Sequence, residues 1–112
     1  MPTAIESSRD DGLRLEQRAA ICEILRRYPE VEEAIIYGSR AMGSHRAGSD
    51  IDLTLIGKIT LSTLNRISLA LDDLLLPFEI DLSNYAEIEN PQLREHIQRV
   101  GKPFYSRSGA LE

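Results

Sequence analysis

The chain has one cysteine, Cys22, so neither an intrachain disulfide nor a multi-cysteine zinc site is available to it. A reducing cytoplasm is the compartment that suits such a sequence, and Cys22 itself falls in a helical apolar pattern that assigns it to the core. No apolar run approaches the roughly 20 residues of a membrane span, and the opening MPTAIESSRDDG carries no signal-like apolar segment, so neither insertion nor export is expected. Basic residues are in deficit, 13 against 18 acidic ones for a formal charge of -5. That balance argues against a general nucleic-acid binder, which needs a basic surface to neutralise phosphates. Repeats, low-complexity tracts and linkers are also missing. With 112 residues there is material for one hydrophobic core, which predicts a single domain over 1–112 with flexible ends at 1–11 and 106–112. Hydrophobic residues at 42% and charged residues at 28% are ordinary for a chain that folds.

Apolar residues recur at helical spacing through Leu13, Ala20, Ile21, Ile24, Leu25 and Tyr28, and Pro29 stops the pattern. The β-branched run Val31–Tyr37 predicts a strand that breaks at Gly38. From Asp50 to Ile56 polar and apolar residues alternate, so Asp50, Asp52 and Thr54 share one face while Ile51, Leu53 and Leu55 take the other. A second long helix is expected from Thr60 to Leu76, with Thr60 as its cap and Pro77 as its stop. The leucine-rich stretch within it is assigned to core packing. Phe78–Ser83 alternates again and places Glu79, Asp81 and Ser83 together. Asn90-Pro91 signals the start of a last helix, with Leu93, Ile97 and Val100 on its apolar side. Gly101 is expected to close that helix in a left-handed conformation, and Lys102–Tyr105 to follow as a short strand or tail. The order α-β-α-β-α-β-α predicts an α/β (α+β) domain, a small mixed sheet flanked by helices.

Chemistry concentrates in YGSRAMGSHRAGSDIDL, Tyr37 to Leu53. Gly38-Ser39 at a strand end offers free backbone N–H groups and a hydroxyl suited to a phosphate, although Gly-Ser turns commonly do no more than connect elements. Asp50 and Asp52 point the same way from one strand, about 6–7 Å apart along the backbone. Two carboxylates about 5 Å apart at an effective dielectric of about 20 repel by roughly 3 kcal/mol, so a divalent cation is a natural companion. A solvated strand face carrying both acids is the plainer alternative.

The pattern Gly38-Ser39, ten residues, then Asp50-Ile51-Asp52 resembles the signature of the DNA polymerase β-like nucleotidyltransferase superfamily, and GSRAMG with SDIDL is most similar to its minimal nucleotidyltransferase (MNT) branch, found beside HEPN-domain partners in toxin–antitoxin pairs. The resemblance extends to a third acid in EIDLS and to a final helix of the type NPQLREHIQRVGKPFY. It implies the nucleotidyltransferase fold, ATP as substrate and two Mg2+ ions held by Asp50, Asp52 and Asp81. It also implies that Gly38 and Ser39 hold the β- and γ-phosphates, with Arg40 and Arg46 as candidate phosphate contacts. Asp81 would ligate the metal that carries the attacking hydroxyl and help to take its proton, with Glu79 as a weaker rival. Met42 departs from the pattern, since close relatives often carry a second basic residue there. His45 is assigned to an exposed loop, and His96 to the surface or a partner-facing position without a catalytic role.

Larger members of the superfamily add an acceptor-binding domain for which this chain has no room, so the acceptor surface is expected from a partner: a HEPN toxin or another small helical protein whose tyrosine receives AMP. Two other functions stay open. One is an antitoxin that neutralises its partner by occlusion, and the other is nucleotide transfer to a small molecule such as an aminoglycoside.

Overall fold

The computed structural model of the chain describes residues 11–44, 46 and 48–107. The polar–apolar alternation of the strands decides the architecture. Four strands, β1 (Val31–Tyr37), β2 (Ile51–Gly57), β3 (Ile80–Asn84) and β4 (Lys102–Ser106), form a mixed sheet in the order β3-β2-β1-β4. β1 pairs antiparallel with both β2 and β4, whereas β2 and β3 run parallel. The parallel pair requires a crossover, and α3 (Leu61–Asp72) provides it.

Register assigns each side chain to a face. Ile36 opposes Leu53, Leu53 opposes Leu82 and Ile51 opposes Ile80, which makes one face continuously apolar. Ile21, Ile24 and Leu25 of α1 (Leu15–Arg26), together with Ile67 and Leu71 of α3, are buried in the core cluster with Ile36, Ile51, Leu53 and Leu55. Burying a Leu or Ile side chain is worth about 1.5–3 kcal/mol, so this layer is the main source of stability. Tyr37 opposes Asp52, Asp52 opposes Asp81 and Thr54 opposes Ser83 on the other face. α4 (Pro91–Val100) lies against that polar face, where a Cβ on Gly101 would meet the Ile35 side chain and His96 stacks edge-on to Tyr37.

The caps follow the sequence signals. Thr60 Oγ1 accepts the Thr63 N–H at 3.1 Å, and Asn90 Oδ1 accepts those of Gln92 and Leu93 at 2.8 and 3.2 Å. Three expectations are corrected. The second long helix ends at Asp72 rather than Leu76, because Asp72 and Asp73 place negative charge at the negative end of the helix and Leu75 turns left-handed at φ 54. Leu75 is consequently 88% exposed. Gly101 is extended rather than left-handed, with φ -65 and ψ 146. Its lack of a side chain serves close packing instead, since a Cβ would sit 2.4 Å from the Ile97 carbonyl oxygen. Finally, Ser106 is buried in β4, the Arg107 N–H donates to the Glu32 carbonyl at 2.9 Å, and Asp11 is buried, so these three residues are fixed where flexible ends were expected. The remainder of those ends lies outside the described residues. Cys22 is a core residue, its thiol 3.7 Å from the Phe104 carbonyl oxygen.

Candidate functional site

β1 delivers the chain to Gly38 with φ 78 and ψ -157, a conformation essentially restricted to glycine. Close approach makes the same demand, since a Cβ on Gly38 would lie 2.3 Å from Asp52 Oδ2. Gly38 therefore lets the Asp52 carboxylate lie against the backbone of the turn. Ser39 opens a one-turn helix, α2 (Ser39–Met42), whose Met42 N–H donates back to the Gly38 carbonyl at 3.1 Å. Gly43 closes it in the left-handed conformation. The Gly-Ser turn and the first strand acid are thus neighbours.

Of the three acids expected to cooperate, Asp52 and Asp81 lie side by side on one face of β2 and β3, and Asp50 stands just before β2. Asp52 is half-buried and directly opposite Asp81, while Asp50, one residue before β2, is exposed, as is Asp81. Burial pushes the Asp52 carboxyl above its ordinary value, and the charges of Asp81 and Asp50 push in the same direction, with His96 opposing. Among the described residues no Lys or Arg forms an ion pair with any of the three. Nor, among those residues, do three His, Cys, Asp or Glu side chains converge closely enough to hold an ion unaided. The arrangement is a partial, all-oxygen ligand set with surplus negative charge, which suits a hard divalent cation whose remaining ligands come from elsewhere.

Glu79 is placed differently. It precedes β3 and faces the hollow beside Leu71, Leu75 and Phe78, and it is not among the charges acting on Asp52. Asp81 is the acid that the fold brings to Asp52.

Arg40 departs from the phosphate contact expected of it. Its side chain is turned inward and only 3% exposed, its Nε donates to the Ser49 carbonyl at 2.9 Å, and its Nη1 donates to the Asp11 carbonyl at 2.7 Å. The guanidinium also lies over the Phe78 ring, 4.9 Å from the centroid. Those bonds commit it to the protein. Arg46 is exposed in the loop before Ser49, and Met42 is 53% exposed on α2. His45 lies outside the described residues.

Two residues join the site that sequence reasoning left out. The Tyr37 side chain lies close to Ser83, and burial, together with the charges of Asp52 and Asp81, raises its pKa above the ordinary value. His96, expected at the surface or facing a partner without a catalytic role, packs edge-on against the Tyr37 ring, with centroids 6.2 Å apart, and is close enough to act on the Asp52 charge. A signal for His96 was present, since Leu93, His96, Ile97 and Val100 fall at i, i+3, i+4 and i+7 along one helix side. Which surface that side would meet was not visible in the sequence.

The family model described as Polymerase beta, Nucleotidyltransferase matches residues 19–110. A structure described as a minimal nucleotidyltransferase is 30% identical, with a TM-score of 0.59, over 79% of this chain and 89% of the other. A toxin–antitoxin structure with AMP-PNP aligns with a TM-score of 0.66 at 20% identity, over 80% of this chain and 73% of the other. A tri-AMPylated Shewanella oneidensis HEPN toxin in complex with MNT antitoxin contains a chain that aligns with a TM-score of 0.63 at 16% identity, over 84% and 73% respectively. At those two identities the likeness shows the fold. No curated protein matches the chain significantly. Among the described residues no helix is long and apolar enough to cross a membrane.

Proposed function

Since the chain belongs to the polymerase β-type nucleotidyltransferase family, with MNT antitoxin structures among its structural neighbours, we propose that it transfers AMP from ATP to a tyrosine hydroxyl of a HEPN-type partner protein and so acts as an antitoxin. The observation that carries this proposal is the juxtaposition of Gly38, whose missing side chain admits the Asp52 carboxylate, with Asp81 directly across the β2–β3 ladder. Neighbours solved with AMP-PNP and with an AMPylated HEPN toxin support the choice of nucleotide and acceptor.

In this proposal Gly38 and Ser39 hold the triphosphate, through open backbone and one hydroxyl, at the end of β1. Asp50, Asp52 and Asp81 would hold Mg2+, in two ions, with phosphate oxygens completing shells that three carboxylates cannot fill. Bound Mg2+ supplies the positive charge that offsets the phosphates and the acids. Asp81, exposed at the edge strand β3, orients the acceptor hydroxyl and takes its proton. The hydroxyl oxygen bonds to the α-phosphorus, the bond to pyrophosphate breaks, and pyrophosphate departs. Tyr37, buried opposite Asp52, forms part of the floor beneath the acids.

Incubating the protein, MgATP and a HEPN partner should add one or more AMP units to the partner's mass, and Asp81→Asn should abolish the addition while retaining MgATP binding. The second reading is neutralisation by occlusion, in which the three acids play no part. If Asp50→Asn with Asp52→Asn silences the partner as well as the unaltered protein does, and no mass is added, occlusion is the mechanism.

A further inference from the structure

Asp50 is the most loosely built of the three acids: it is exposed, lies outside β2 and follows a loop. Its backbone is nevertheless held on both sides. The peptide group before it ends in the Ser49 carbonyl, which accepts the Arg40 Nε–H at 2.9 Å. The peptide group after it carries the Ile51 N–H, which donates to the Glu79 carbonyl at 2.8 Å. Because a peptide group is planar and includes the neighbouring Cα, holding these two groups holds the Asp50 Cα and the direction of its Cα–Cβ bond.

Arg40 does more than hold one carbonyl. Its Nη1 reaches the Asp11 carbonyl, and its flat face lies over Phe78, the residue immediately before Glu79. One buried guanidinium therefore joins the Gly38–Met42 turn, the segment at Asp11, the approach to Asp50 and the approach to β3, which carries Asp81. Its cationic form is retained despite burial, since a guanidinium does not lose its proton in a protein, and the charges of Asp11 and Asp50 favour it.

We propose that Arg40 is a positioning residue that sets the geometry of Asp50 for the metal-bound nucleotide, acting through the Ser49 carbonyl rather than by touching phosphate. The inference rests on the proposed role of Asp50 as a metal ligand. Lysine cannot replace arginine here, because a single ammonium lacks both the two-point fork and the planar face. Arg40→Lys keeps the charge and removes the geometry.

The test is a Mn2+ titration of AMP-PNP binding by calorimetry on the full chain, with AMP-PNP binding also measured in EDTA. Arg40→Lys should raise the Mn2+ concentration at half-saturation by about tenfold or more, the usual effect of losing a group that orients a ligand. Ile24→Val, which trims the buried face of α1 and leaves the Arg40 hydrogen bonds in place, should leave that concentration unchanged and so separates lost stability from lost positioning. An unchanged Mn2+ requirement in folded Arg40→Lys overturns the inference. Equal weakening of AMP-PNP in Mn2+ and in EDTA also overturns it, since that is the mark of a direct phosphate contact. If the unaltered protein binds AMP-PNP without regard to Mn2+, the metal-ligand reading itself fails and the inference falls with it. Should Arg40→Lys not fold, Phe78→Leu takes its place, because it removes the ring under the guanidinium and keeps the arginine. It should shift the Mn2+ requirement in the same direction, and no shift would overturn the inference.

Discussion

Gly38→Ala is the sharpest perturbation of the candidate site, because the structure supplies both its conformational and its steric cost. With φ 78 and ψ -157, an alanine would occupy a region that costs of order 1–3 kcal/mol for a residue with a Cβ. The Cβ would also stand 2.3 Å from Asp52 Oδ2, where ordinary contact is 3.4–4 Å. The carboxylate is the more mobile party and must rotate away, at roughly 0.5–1.5 kcal/mol for a displaced rotamer. Together these predict about 1.5–4.5 kcal/mol of lost stability. Moving Asp52 should in addition reduce Mg2+-dependent nucleotide binding by about tenfold or more. Gly43→Ala is the matched control: its φ of 76 and ψ of 9 are left-handed, but nothing lies within 4 Å of the added Cβ. It should lose only about 1–2 kcal/mol and leave binding intact. Denaturant unfolding and calorimetric titration with MgATP, run on both variants, separate the two effects. Equal losses of stability and of binding in the two variants would refute the claim that Gly38 is required by its contact with Asp52.

Other expectations follow from the electrostatics and caps. The Asp52 carboxyl sits above its ordinary 3.8 in the folded state, so the folded chain binds its proton more tightly than the unfolded chain, and stability falls as pH rises from about that value through the raised one. Asp52→Asn should remove this decline and raise metal-free stability at neutral pH, measured as the denaturation midpoint against pH. His96→Ala should raise the Asp52 pKa further in an NMR carboxyl titration, because the one opposing influence is lost; a fall would show that His96 does not act on Asp52. Asn90→Ala should cost about 1 kcal/mol in denaturant unfolding without affecting nucleotide binding, since Asn90 caps α4 by accepting two N–H groups.

What the sequence revealed and concealed has a physical basis. Strand faces were legible because side chains alternate with a period of two, so Ile51, Leu53 and Leu55 could be assigned to the core and Asp52 to the opposite face before any pairing was known. Caps at Thr60 and Asn90 were legible because capping is local. Contacts between distant segments were not. That Arg40 turns inward follows from the Ser49 and Asp11 carbonyls, which meet only once the chain is folded, and a guanidinium one residue after Gly-Ser is equally suited to phosphate on sequence grounds. The Tyr37–His96 contact depends on α4 crossing the polar face near the end of β1, and the extended Gly101 depends on Ile97 and Ile35 standing close to it. Thr54 shows the limit of alternation: it shares the face of Asp52, yet it is fully buried. Period two assigns a face but cannot tell how far along the strand that face is covered.

That uneven cover bears on how the site holds its charge. A strand face covered throughout would bury Asp52 and Asp81 as fully as Thr54, where unpaired carboxylates would take up protons rather than bind cations. A bare face would leave both acids in water, where their mutual repulsion is weak and an ion gains little by joining them. The fold lies between these limits: α4 brings His96 and Ile97 over the sheet, Tyr37 fills the space beside Asp52, and Asp81 stays open on the edge strand. Asp52 is therefore buried enough to feel both neighbouring charges, while Asp81 remains reachable from outside. The same half-cover separates the roles proposed for them, with the sheltered acid held against the Gly38 turn and the open acid left to meet a hydroxyl that arrives on another molecule.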